Sequence, residues 1–170
     1  SENDVLPAGE GAHGYKAVAF HGIGTDFRRF ADMKKFVIDA GKGAGDGTHM
    51  GEVLYNRGLY AAMLAAEAAR TAMKMNNTKD ITSAMMRDAM ENLVIDKARM
   101  AAIGLPDFGP EIRITCANHG GPGLGAIQQW DARARKWSLI TDFMEADREV
   151  VDALIAADSD AFAKENKITP

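Results

Sequence analysis

The chain has 170 residues, 46% of them hydrophobic and 26% charged, which is the balance of one compact domain with a sizeable core. With 20 basic and 24 acidic side chains the net charge is −4, so the excess of clustered cations that phosphate neutralisation needs is absent, and a nucleic-acid surface is excluded. A single cysteine, Cys116, rules out an internal disulfide framework and a Cys-rich zinc site. No stretch approaches the length of apolar sequence a membrane span requires, and the start, SENDVLPAGEGAHGYK, is not a signal peptide.

In chain order, Tyr15 to Phe20 (YKAVAF) is a short apolar run bracketed by Gly14 and Gly22 and predicts a buried strand. The turn-rich HGIGTDF follows. Thr25 or Asp26 is placed to cap a helix with Phe27, Phe30, Met33, Phe36 and Val37 inward, closed by Gly41. After the flexible loop 41–48, residues 51 to 75 form the strongest helical pattern, with Val53, Leu54, Leu59, Met63, Leu64, Ala68 and Met73 as its apolar stripe. Thr82 caps a third helix with Met85, Met86, Ala89, Met90 and Leu93 inward, and Asp96 caps a short fourth turn through Met100. Residues 111–117 alternate as a strand with Ile112, Ile114 and Cys116 on one face. HGGPGLG (119–125) reads as a hinge or crossing point. Residues 126–131 and 136–142 form a hairpin around ARAR, and a last helix runs from about Asp147 to Asn166. The order is α/β but helix-rich. Parallel strands are normally covered and flanked, so sheet neighbours are expected outside this chain.

Candidate chemistry is sparse. Gly121, Gly123 and Ala126 match a dinucleotide-loop spacing, yet Pro122 intervenes and a strand, not a helix, follows, so no cofactor is expected. Cys116 and His119 have C-x-x-H spacing, but a metal needs further ligands and His13, His21 and His49 are scattered. Cys116, on the apolar face of its predicted strand, reads as a small hydrophobe, and no metal site is expected. The ten methionines fit core packing, and Asn76-Asn77-Thr78 matters as a sequon only in a eukaryotic secretory setting. Trp130 and Trp137 face each other across the hairpin and read as packing. HMGEVLYNRG (49–58) sets His49, Glu52, Tyr55, Asn56 and Arg57 at a helix N-terminus, whose free N–H groups favour a carboxylate.

At that segment the sequence resembles a family. GEVLYNRGLYAAMLAAEAARTAM, with GYKAVAFHGIGTDF upstream and ITDFMEADREVVDALI downstream, is similar to the substrate-binding proteins of branched-chain amino acid ABC transporters, periplasmic binding proteins of the type I fold. The resemblance runs along nearly the whole chain and implies the C-terminal half of a two-lobed fold, with parallel-sheet lobes and flanking helices. Residues 1–20 would then be a remnant of lobe two, 21–122 the second half of lobe one, and 123–170 the return to lobe two. It implies no enzymatic activity. It implies a solute receptor, periplasmic or extracytoplasmic, that binds a branched-chain amino acid or related small carboxylate between its lobes and passes it to a membrane permease. The alternative is a ligand-sensing domain of a regulator with the same fold. Tyr55 matches the family's aromatic solute contact. Phe20 and His21, near the second crossing, and Glu52 are further candidates. Other family contacts fall in the first half, and a chain with unpaired strand edges is expected to self-associate.

Overall fold

In the computed structural model, which describes residues 1–168, α3 runs from Val53 to Asn76, and its end is set by Asn77 in the left-handed conformation (φ 48°). Asn is among the few residues that tolerate that geometry, and here its N–H closes back on the Met73 carbonyl. Before α3 come α1 (Glu2–Val5), a 3₁₀ segment (Leu6–Ala12), β1 (Lys16–Ala19) and α2 (Arg28–Met33). After it come α4 (Ser83–Met90), β2 (Val94–Ile95), α5 (Lys97–Ala102), β3 (Ile112–Arg113), β4 (Leu124–Asp131), β5 (Lys136–Leu139), β6 (Met144–Glu145) and α6 (Arg148–Glu165). Two caps match the sequence: Thr82 Oγ1 accepts the Met85 N–H at 3.3 Å, and Asp96 Oδ1 accepts the Arg99 N–H at 2.7 Å.

The strand pairing departs from expectation. Every ladder among the described residues is antiparallel, where parallel-sheet lobes were expected. β4 is central, pairing β1 on one side (Lys16 opposite Gln129) and β5 on the other (Trp130 opposite Trp137), with β6 along its first residues. β1 therefore finds a partner within the chain. The hairpin loop is fixed by Asp131 Oδ1, which accepts the N–H groups of Arg133 and Ala134 at 2.9 and 3.0 Å.

Three local readings are corrected. α2 starts at Arg28 without a cap from Thr25 or Asp26, and it passes into a π-helical turn, Lys34–Ile38. That turn inserts one residue per cycle and rotates the stripe, leaving Phe36 57% exposed instead of inward. The strand predicted over 111–117 stops at Arg113. Thr115 and Asn118 close a tight turn, and Cys116 lies exposed on it. Met90 is also exposed, because α4 ends there and only Ala89 of its helical stripe is buried.

Burial falls into two apolar clusters. The larger joins Phe30, Met63, Leu93, Ile95, Met100, Leu105, Phe108 and Ile112. The smaller joins Val5, Ala12, Val53, Trp130 and Trp137. Between α3 and α5, Glu67 receives two hydrogen bonds from the Arg99 guanidinium, both 2.7 Å, with Arg70 Nε at 3.3 Å. This bidentate pairing lets a 7% exposed carboxylate sit in the wall of the core. Arg28 and Arg29 donate to the carbonyls of Ala102 and Ile103, satisfying the electronegative end of α5. α6 contributes no buried residue, and Leu154 and Phe162 are each 60% exposed. No helix among the described residues is long and apolar enough to cross a membrane.

Candidate functional site

The start of α3, the 22–27 loop and the β4–β5 hairpin enclose an open cleft of about 640 Å³. The loop is held by backbone and side chain together. Gly22 donates its N–H to the Phe108 carbonyl, and Gly24 donates to Gly51 at 3.2 Å. Asn56, fully buried on the first turn of α3, donates from Nδ2 to the carbonyls of Gly22 (3.1 Å) and Gly24 (3.0 Å). His21 Nδ1 donates to the same Gly22 carbonyl at 3.0 Å. The approach leaves no room for side chains. A Cβ at Gly22 would lie 2.8 Å from Phe27 Cζ, and one at Gly51 (φ 91°) would lie 2.7 Å from Thr25 Cγ2.

The cleft's charges are segregated. Glu52, Asp26 and Asp107 lie on the side of α3 and the loops, while Arg135 and Lys136 lie on the hairpin. Trp130 and Trp137 form its apolar floor, with ring centroids 5.3 Å apart. The α3 N-terminus does receive a carboxylate, but from within the chain: both oxygens of Glu2 accept the Val53 N–H, at 3.2 and 3.1 Å. Glu52 is the residue that flanks the helix start, and it makes no cap of its own.

The residues singled out in the sequence separate. Glu52 lines the cleft and receives His49 Nδ1 at 3.0 Å. That bond holds the exposed imidazole's pKa above its usual value. Tyr55 packs on the larger core, its ring 6.4 Å from that of Phe30, and is not among the cleft's walls. His21 is buried and stacked on Phe108 at 5.8 Å. Burial pushes its pKa down, disfavouring the charged ring. Phe20 is exposed, at 55%, outside the cleft. Asn56 turns out to be a clamp on the loop, and Arg135 and Lys136 are the cationic rim. The ARAR-K turn carried a signal for that rim, since it is the hairpin's basic tip. Nothing in the local pattern foretold Glu2. Gly121 and Gly123 lead into β4. One group of possible metal ligands occurs among the described residues, Glu91, Cys116 and His119, and none of the three lines the cleft.

These features define a class: a mixed α/β chain with an open, charge-segregated cleft between a helix start and a hairpin. No family model matches the chain, and no curated protein matches it. Two solved structures are similar. One, described as an ABC transporter permease from the Pseudomonas fluorescens group, is 36% identical with a TM-score of 0.92; the match covers 100% of this chain and 41% of that one. The other, a branched-chain amino acid ABC transporter from Thermus thermophilus with bound valine, is 21% identical with a TM-score of 0.64 over 88% of this chain and 38% of that one. The chain thus has a fold found in ABC transporter components, one of them solved with valine, and it spans about two fifths of their length.

Proposed function

We propose that this chain is part of the solute-binding component of an ABC transporter and supplies the rims and floor of a site for a small amino acid. The observation that carries the reading is the cleft: acids on one rim, Arg135 and Lys136 on the other, and two tryptophans beneath. A zwitterion with an apolar side chain matches all three, its ammonium toward Glu52 and Asp26 and its carboxylate toward the hairpin cations. The likeness to transporter components supports the same reading. No chemistry is required. A solute that contacts both rims stabilises the closed arrangement by its differential affinity for it, and the closed form is what a membrane permease would receive. The location is periplasmic or extracytoplasmic. The exposed apolar face of α6 and the outer edge of β1 invite a second chain, and light scattering that showed only monomer at every concentration would remove that part of the proposal.

Calorimetric titration of the full-length protein containing this chain, with leucine, isoleucine, valine and small carboxylates, tests the function. Saturable binding weakened by Arg135→Gln and Lys136→Gln is expected. Absence of binding to any of these solutes, or affinity indifferent to both changes, would overturn it.

A further inference from the structure

We propose that Glu91, Cys116 and His119 form a divalent metal site selective for zinc-like ions. Their ligand atoms all lie within 4.8 Å of one another, and His119 Nε2 is 3.5 Å from Glu91 Oε1. The proposal stands independently of the solute reading, because none of the three lines the cleft.

Backbone geometry makes the grouping. β2 and β3 pair Val94 with Arg113 and Ile95 with Ile112, and Ile114 donates its N–H to the Leu93 carbonyl at 2.9 Å. The same register continued past the ladder sets Glu91, at the end of α4, against Cys116. The chain then reverses. Thr115 and Asn118 exchange backbone hydrogen bonds of 3.2 and 3.1 Å, and Thr115 Oγ1 also accepts the Asn118 N–H at 3.0 Å. Asn118 Nδ2 donates to the Gly121 carbonyl at 3.0 Å, so His119 leaves a turn stitched on both sides. The C-x-x-H spacing is therefore bent back on itself, and the third ligand comes from a helix end in a different part of the sequence.

The donor set fixes the metal class. A thiolate, an imidazole and a carboxylate suit zinc, whereas an oxygen-only demand would suit calcium or magnesium. With bond lengths of roughly 2.0–2.3 Å, tetrahedral zinc needs donors roughly 3.4–3.6 Å apart. The His119–Glu91 separation already falls there. The remaining contraction from the 4.8 Å limit is at most about 1.4 Å, within reach of side-chain rotation for an exposed Cys116 and a 66% exposed His119. A fourth position stays open to water or to a ligand from another molecule. Arg87 is a cation that acts on the group. It lies within electrostatic range of Glu91 and Cys116 and is itself held by Asp88 at 2.8 Å. Its charge opposes a metal ion, so affinity is set partly by that residue. Bound metal would tie the end of α4 to the base of the 119–125 connection.

The test is cobalt titration of the metal-stripped protein, kept reduced, followed by zinc displacement. One equivalent is expected to give a thiolate-to-cobalt charge-transfer band with tetrahedral visible absorption, and zinc is expected to protect Cys116 from alkylation. Cys116→Ser should abolish the band. His119→Ala and Glu91→Gln should each weaken binding by about 10-fold or more, at least the loss caused by removing a supporting group around a metal. Arg87→Gln should tighten it, and His13→Ala should change nothing. Saturation without a thiolate band, or zinc affinity unchanged in Cys116→Ser, would overturn the proposal and leave only a His119–Glu91 contact beside a free thiol.

Discussion

Replacing Asn56 with alanine should loosen the loop that walls the cleft. The side chain is wholly buried and makes two hydrogen bonds, to the carbonyls of Gly22 and Gly24. At about 0.5–1.5 kcal/mol net per bond, their loss costs about 1–3 kcal/mol. Two details narrow the range. The Gly22 carbonyl keeps the His21 donor, so it is not stranded. Asn56 Oδ1 finds no hydrogen-bond partner among the described residues, so its removal recovers part of an existing cost. The expected loss is about 2 kcal/mol, read as a lower urea midpoint at unchanged slope. Solute affinity should fall with it, because Gly22 and Gly24 line the cleft. Asn56→Asp has the same shape but cannot donate, and it turns a carboxylate toward two carbonyls. It should be worse than alanine. An aspartate variant as stable as the parent, or an alanine variant within about 0.5 kcal/mol of it, would refute the clamp.

Glu67→Gln should cost about 1–3 kcal/mol by breaking the bidentate contact with Arg99. The Arg99 hydrogen bonds hold the Glu67 carboxyl below its usual pKa, so its stabilisation is complete above the ordinary glutamate range and disappears as pH falls through the lower folded value. Acid unfolding of the parent, but not of the glutamine variant, should show that component. Glu2→Ala removes the carboxylate at the start of α3 and should lower stability by about 0.5–2 kcal/mol in denaturant melts, as for other N-terminal caps. The His49 titration midpoint, followed by NMR, should lie above the ordinary histidine value and fall toward it in Glu52→Gln, since the Glu52 hydrogen bond is the main cause of the rise.

Helix existence was legible where periodicity and caps agreed. Val53–Asn76, Thr82 and Asp96 lie where the pattern puts them, because an Ala-rich amphipathic run and a side-chain oxygen at its start are local properties. The hairpin and its Trp130–Trp137 pairing were legible for the same reason. The π-helical turn was not, because one inserted residue changes the phase of Phe36 and Val37 without changing composition. Strand direction was not legible either. A short run such as KAVA says that it is extended, and only its partner, about 110 residues on, says which way. At the start of α3 the sequence pointed to a helix end that favours an anion, but not to Glu2 as the group that occupies it. A free helix end attracts an anion, but Glu2 lies 51 positions away and no local rule connects the two. Cys116 was misplaced because alternation over 111–117 concealed the turn at Thr115–Asn118.

The two apolar clusters meet at a single turn of helix. Val53 belongs to the smaller, while Tyr55, Leu59 and Met63, further along the same rod, belong to the larger. Each cluster can open at its own free energy, so amide exchange should report two cooperative units, one around β4 and β5 and one around Leu93–Ile112. The first turn of α3 is then a shared edge, whose amides follow whichever unit opens first. Glu2 and Asn56 both act at that edge, so losing either contact should loosen the link between the two units.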